Sequence, residues 1–99
     1  PFTTPLAPLQ VWGASLLLAD FVLSRVSLFR DQIVVELGAG PGLPGLVLSR
    51  ICRRVFLTDF ADPVLRQCHR NVTLNNAHLC CRVRRLDWIE EGVGEIKRE

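Results

Sequence analysis

Ninety-nine residues, 48% of them hydrophobic, with a mean hydropathy of +0.24, suffice for one small domain with a core of its own. A net charge of +2 is too small to indicate nucleic acid or a membrane surface as partner. Cys52, Cys68, Cys80 and Cys81 show neither the paired spacing of a zinc site nor a secreted disulfide framework, so free thiols in a reducing, intracellular compartment (nucleus or cytoplasm) are expected, with no metal.

Pro1 to Pro8 is a proline-punctuated lead-in. From about Leu9 to Leu28 apolar residues recur at helical intervals, through Leu9, Trp12, Leu16, Ala19, Leu23 and Val26. The most apolar stretch, Ala14 to Leu23, is interrupted by Asp20 and is too short to span a bilayer. Without a basic start, it is not a signal peptide either. The chain begins at Pro1 and contains no methionine, as expected of a piece of a longer protein. Ser27 to Gln32 is a turn, with Leu28 and Phe29 tucked under the sheet.

Three strands are expected, at about 33–37, 55–59 and 80–86, each short and rich in β-branched or apolar residues. Pro44 falls in the first turn of the helix after strand one, where its missing N–H costs nothing, and that helix runs to Ile51 or Cys52. Asp62-Pro63 predicts a helix start with Asp62 as N-cap. Val64, Cys68 and Val72 share one face of this helix, and Asn75-Asn76 stop it. Residues 90–99 are charged and frayed. Asn71-Val72-Thr73 matches a glycosylation sequon but lies inside a helix of an intracellular chain. The sum, α-β-α-β-α-β, is a parallel α/β sheet built from right-handed crossovers.

The most informative segment is Ile33 to Leu43, where a strand stops at Glu36 and opens into Gly38, Gly40 and Gly42. A glycine loop between strand and helix lets a ligand lie against bare backbone and aims the N–H groups of the next helix at it. Such a loop in an α/β sheet is where nucleotide-like ligands sit. Counted from Gly38, the third glycine of a dinucleotide fingerprint falls on Leu43, and no GK[ST] ending makes a P-loop. The run Glu36-x-Gly38-x-Gly40-x-Gly42 instead resembles motif I of seven-strand methyltransferases that use S-adenosyl-L-methionine.

In a parallel sheet the C-terminal strand ends line one crevice, which brings Glu36, Asp59 and Asp87 to the same ligand. Asp59 follows Gly38 by 21 residues, the spacing at which a strand-two acid reaches ribose hydroxyls. Its bland alternative is a solvated acid or helix cap. Glu36 either fixes the loop by accepting its N–H groups or draws the cationic end of the ligand. Asp87 can accept from an adenine amino group while Trp88 covers the ring; the alternative is a turn cap beside a core tryptophan. Trp12, on its apolar stripe, reads from the residues as core. His69, His78 and the arginine clusters 50/53/54 and 82/84/85 read as solvated, with nucleic acid not indicated.

Taken together, Val11-Trp12-Gly13 with its helix, Glu36 to Leu43, Leu57-Thr58-Asp59 and Arg70-Asn71-Val72-x-Leu74-Asn75 resemble the methyltransferase-like family 16 of protein-lysine methyltransferases. The resemblance spans Trp12 to Trp88. It implies a Rossmann-like, three-layer α/β/α methyltransferase fold of which this chain is the N-terminal, cofactor-binding half. It implies S-adenosyl-L-methionine as cofactor and a protein substrate carrying the target lysine. Gly38, Gly40 and Gly42 would approach the methionine portion, Asp59 the ribose, and Asp87 with Trp88 the adenine. Trp12 would wall the pocket near the methionine end, and Glu36 would act there indirectly. The family's acid-x-x-aromatic motif after strand four, where the lysine is received, has no counterpart here, so catalytic acceptor residues lie outside the chain and strand one is left as an open edge. Two other classes remain: an inactive methyltransferase-fold binding module, and a Rossmann oxidoreductase, against which Leu43 and Glu36 argue. A small-molecule or nucleic-acid acceptor also stays open.

Overall fold

The computed structural model describes residues 13–89; Trp12, the lead-in and the charged tail lie outside them. The elements are α1 (Gly13–Ser24), α2 (Val26–Phe29), β1 (Ile33–Glu36), α3 (Leu43–Leu48), β2 (Arg54–Asp59), α4 (Asp62–Leu74) and β3 (Cys81–Arg85). The strands form one parallel sheet in the order β1-β2-β3. Register pairs Glu36 with Leu57 and Asp59 with Arg85, which brings the three C-terminal ends to one edge.

β2 is central, and its Val55, Phe56, Leu57 and Thr58 are all buried. Side chains alternate along it, so Val55 and Leu57 face one side and Phe56 the other. Val55 and Leu57 join Leu48 of α3, Cys68 and Val72 of α4, and Val22 of α1 in one core cluster. Phe56 and Leu86 form a small second cluster on the opposite face. The described helices therefore cover one face, giving two of the three layers of the fold. This follows from two successive right-handed crossovers that step in the same direction across the sheet.

α4 is the most clearly patterned element. Val64, Cys68 and Val72, one turn apart, are all buried, the two valines each contributing about 1.5–3 kcal/mol of transfer free energy. The helix stops at Asn75, and Asn76 takes a left-handed φ of 54°. Its N-cap is Ala61 in an extended conformation, with no side-chain cap. Asp62 instead occupies the first turn, where its charge meets the positive end of the helix dipole.

The leading helix departs furthest from expectation. It breaks at Arg25, and Val26–Phe29 forms a separate single turn. Only Ala19 and Val22 of α1 are buried, while Leu16, Leu17, Phe21 and Leu23 are exposed. A helix that is apolar all round gives no periodic signal for which side faces in. In α2, Phe29 is half-buried against the core and meets Phe21 edge-on, with ring centroids 6.3 Å apart. Leu28 points to solvent, because adjacent residues of one helical turn sit about 100° apart. α3 also ends early, at Leu48, and continues to Cys52 only as hydrogen-bonded turns. Ile33, Val35 and Leu37 are exposed along β1, the outer strand of the described sheet.

Candidate functional site

Three glycines with positive φ, Gly38 (64°), Gly40 (56°) and Gly42 (95°), carry the chain from β1 over the strand ends into α3. The sheet holds this loop at two points. The Ala39 N–H donates to the Thr58 carbonyl (2.8 Å), and the Gly40 N–H donates to Asp59 Oδ2 (3.0 Å). The helix layer holds it at a third, where Asn71 Nδ2 donates to the Pro41 carbonyl (2.8 Å). Within the loop the Gly42 N–H closes a turn onto the Ala39 carbonyl (3.0 Å). Three loop amides are thus committed inside the protein, and Pro41 and Pro44 have none. The loop therefore offers fewer free N–H groups than its glycines suggest, which makes it a weak cradle for a phosphate.

Gly45 performs the close-packing task. A Cβ there would collide with Leu57 Cδ2, come within 2.9 Å of Leu57 Cγ and lie 3.1 Å from Glu36 Oε1. Counted from Gly40, residues 40, 42 and 45 complete the G-x-G-x-x-G spacing, which counting from Gly38 misses. Spacing alone therefore leaves a dinucleotide open, and Leu43 does not exclude one. What tells against a diphosphate here is the committed loop amides.

Asp59 ends β2 with both carboxylate oxygens in use: Oδ2 accepts from Gly40, and Oδ1 accepts from the Phe60 N–H (2.7 Å). It is neither a freely solvated acid nor a helix cap. The end of β3 is tied to it, since the Leu86 N–H donates to the Asp59 carbonyl (2.9 Å). A cavity of about 400 Å³ opens here, lined by Gly38, Asp59, Phe60, Leu86, Asp87, Trp88 and Ile89. Its size falls within the range of small-molecule sites. Trp88 and Phe60 are both mostly exposed, so Trp88 is a rim residue and no part of the core. Arg85 sits over the Phe60 ring, 5.7 Å from its centroid. Asp87 Oδ1 accepts from the Ile89 N–H (2.9 Å), which holds the local turn.

Of the eight residues singled out from sequence, the cavity brings together Gly38, Asp59, Asp87 and Trp88. Gly40 reaches it through Asp59. Gly42 turns toward the core, its α-carbon facing Cys68 Sγ, which would lie 3.0 Å from an added Cβ. Glu36 points the same way. It is buried against α3, and its Oε1 has no hydrogen-bond partner among the described residues. Burial pushes its carboxyl up to about 7, helped by the nearby Asp59 and partly offset by the Gly45 amide that points toward it. The amide that Glu36 meets is that of Gly45, in the first turn of α3. Trp12 lies outside the described residues.

Beneath the loop, burial pushes the Cys68 thiol up to about 12, reinforced by Glu36, Cys81 and Asp59. Burial likewise raises Cys81 to about 11. All four cysteines are free. Sequence reasoning missed Phe60, Gly45 and the loop contact of Asn71. The available signals were an aromatic directly after the strand-end acid, the 40/42/45 spacing, and a polar residue beside the buried Val64/Cys68/Val72 stripe. Among the described residues no group of three or more potential metal ligands converges, and no helix is long and apolar enough to cross a membrane.

A family model described as lysine methyltransferase matches residues 7–98. Methyltransferase-like protein 22 from Homo sapiens is 42% identical over 88 residues, which cover 83% of this chain and 22% of that protein. The protein-lysine N-methyltransferase EEF2KMT from Homo sapiens is 38% identical over 73 residues, 72% of this chain and 22% of that protein. Among solved structures, an RNA methyltransferase from Salinibacter ruber in complex with S-adenosyl-L-homocysteine superposes with a TM-score of 0.68, covering 87% of this chain and 55% of that one at 15% identity. That likeness shows the Rossmann-like methyltransferase fold. The chain spans about a fifth of the length of the curated relatives it matches.

Proposed function

This chain belongs to the lysine methyltransferase family, and from that premise we propose that the protein transfers a methyl group from S-adenosyl-L-methionine to a lysine side chain of a protein substrate. The residues of this chain serve the cofactor side of that reaction. The observation that carries this reading is Asp59, a strand-end carboxylate that anchors the glycine loop and lines the same cavity as Asp87 and Trp88.

The residues fit such a ligand. Each Asp59 oxygen accepts one backbone N–H and keeps a lone-pair direction free, so the carboxylate is oriented for two adjacent hydroxyls of a ribose. Asp87 and Trp88, in the same cavity lining, are assigned to the adenine amino group and ring face. Gly38 and Gly40 offer close backbone approach toward the methionine portion, with Gly42 supporting the loop from below. Glu36, in the layer beneath, and Trp12 are assigned to the same end of the cofactor. When bound, the cofactor supplies a methyl group already activated on a cationic sulfur, and what the protein adds is orientation and exclusion of water. The free thiols support a reducing intracellular compartment, nucleus or cytoplasm.

Calorimetric titration of the full-length protein with S-adenosylhomocysteine, with NADH as competitor class, tests the reading. S-adenosylhomocysteine is expected to bind and NADH not, and Asp59→Ala to weaken binding at least about tenfold, as loss of hydrogen bonds to a charged acceptor requires. Binding of NADH in preference to S-adenosylhomocysteine would overturn it.

A further inference from the structure

The loop that carries the cofactor reading is held from two directions, and the two holds differ in kind. From the sheet, Thr58 and Asp59 fix Ala39 and Gly40. From the helix layer, the side-chain amide of Asn71 reaches across 30 residues of sequence to the Pro41 carbonyl at 2.8 Å. α4 is a firm base for that reach. Its Val64, Cys68 and Val72 are buried, and Asn71 is adjacent to the last of these. Its last turn is closed by Asn75, whose Nδ2 donates to the Asn71 carbonyl (2.8 Å).

The Pro41 carbonyl belongs to the peptide that leads into Gly42. Gly42 takes a φ of +95° as the N-cap of α3 and supplies no side-chain cap of its own. Its N–H closes the turn onto Ala39, and its α-carbon leaves room for Cys68 Sγ. Fixing the Pro41 carbonyl therefore fixes the orientation of this peptide, and with it both the turn and the start of α3. A donor is required at position 71, because the partner is a carbonyl oxygen.

We propose that Asn71 is a positioning residue that holds the glycine loop in its ligand-ready conformation by donating to the Pro41 carbonyl, so that cofactor affinity depends on a hydrogen-bond donor at position 71. This rests on the cofactor reading above. Asn71 does not line the cavity; it acts through the loop.

The test uses the full-length protein with S-adenosylhomocysteine calorimetry and amide hydrogen exchange. Asn71→Ala removes the donor, and Asn71→Asp keeps the shape while facing the carbonyl with a second acceptor. Thr73→Ala, which loses an exposed bond to the His69 carbonyl in the same helix, is the control. Loss of one neutral hydrogen bond weakens binding by about fivefold in Asn71→Ala, and the opposed acceptor in Asn71→Asp by about tenfold or more. In both, the Gly42 amide exchanges faster without ligand while the β2 amides hold their protection. Thr73→Ala changes neither. Unchanged affinity in a folded Asn71→Ala overturns the inference, as does a loss accompanied by equal loosening of β2, which would make Asn71 a stability residue only. Should Asn71→Asp fail to fold, Asn71→Ala decides alone. If the wild type does not bind S-adenosylhomocysteine, the cofactor reading fails and the inference falls with it, a result distinct from wild-type binding that the variants share.

Discussion

Replacing Glu36 by glutamine should stabilise this chain, and by an amount that depends on pH. Glu36 faces the helix layer because it is in register with Leu57, and it is nearly shut off from water with Oε1 unpartnered. Burial pushes its carboxyl from 4.5 up to about 7. The folded state therefore holds its proton more tightly than the unfolded chain. Stability from this group is full below pH 4.5, falls between 4.5 and about 7, and is constant above. Two and a half pH units correspond to about 3 kcal/mol lost by pH 8. Glutamine keeps the volume and an acceptor toward the Gly45 amide but cannot ionise. Denaturant melts of wild type and Glu36→Gln should nearly coincide at pH 4. At pH 8 the variant should be more stable by about 3 kcal/mol, a large fraction of the total for a small domain. A constant difference at every pH would mean that Glu36 does not titrate in this range. A variant less stable at pH 8 would mean that its charge is compensated in the native state.

Gly45→Ala should be strongly destabilising, because the new methyl group collides with the fully buried Leu57 side chain and crowds Glu36; overpacking of this kind costs about 1–3 kcal/mol, and an unchanged denaturation midpoint would refute the close approach of α3 to β2. The thiols should separate by burial when the folded chain meets a disulfide reagent at pH 8. Cys52 and Cys80, half-buried, react first, while Cys68 and Cys81, held neutral by pKa values of about 12 and 11, react only on unfolding. Equal rates at all four before unfolding would contradict this.

How much of this was legible depended on whether the signal was local. The β-branched run 33–35, the glycines, and Asp59 at its spacing encode strand, turn and strand end in nearby residues, and the structure places those elements within a residue or two. The face of α1 was not legible, since leucines on every side leave no moment to point inward. Nor was the break at Arg25, which has no proline or glycine to announce it. Asp62 illustrates a one-residue ambiguity. An acid beside proline suits both the cap and the first turn, and here the extended Ala61 takes the cap.

The site was harder to see because its hydrogen bonds join residues far apart in sequence. Glycines announce that a backbone can approach a ligand, but not whether its amides are already spent. Here Thr58, Asp59 and an internal turn claim those of Ala39, Gly40 and Gly42. The same glycine pattern could serve a diphosphate in another chain, where the strand-end residues left those amides open. The residues that satisfy the loop from behind thus decide which of its amides remain for a ligand. Glu36 fits this logic as the counterexample. It sits in the motif yet is turned beneath the loop toward the Gly45 amide, where burial raises its pKa. A cationic ligand above the loop would favour the charged form of this buried carboxyl and so lower its raised pKa on binding, which is the role proposed for Glu36.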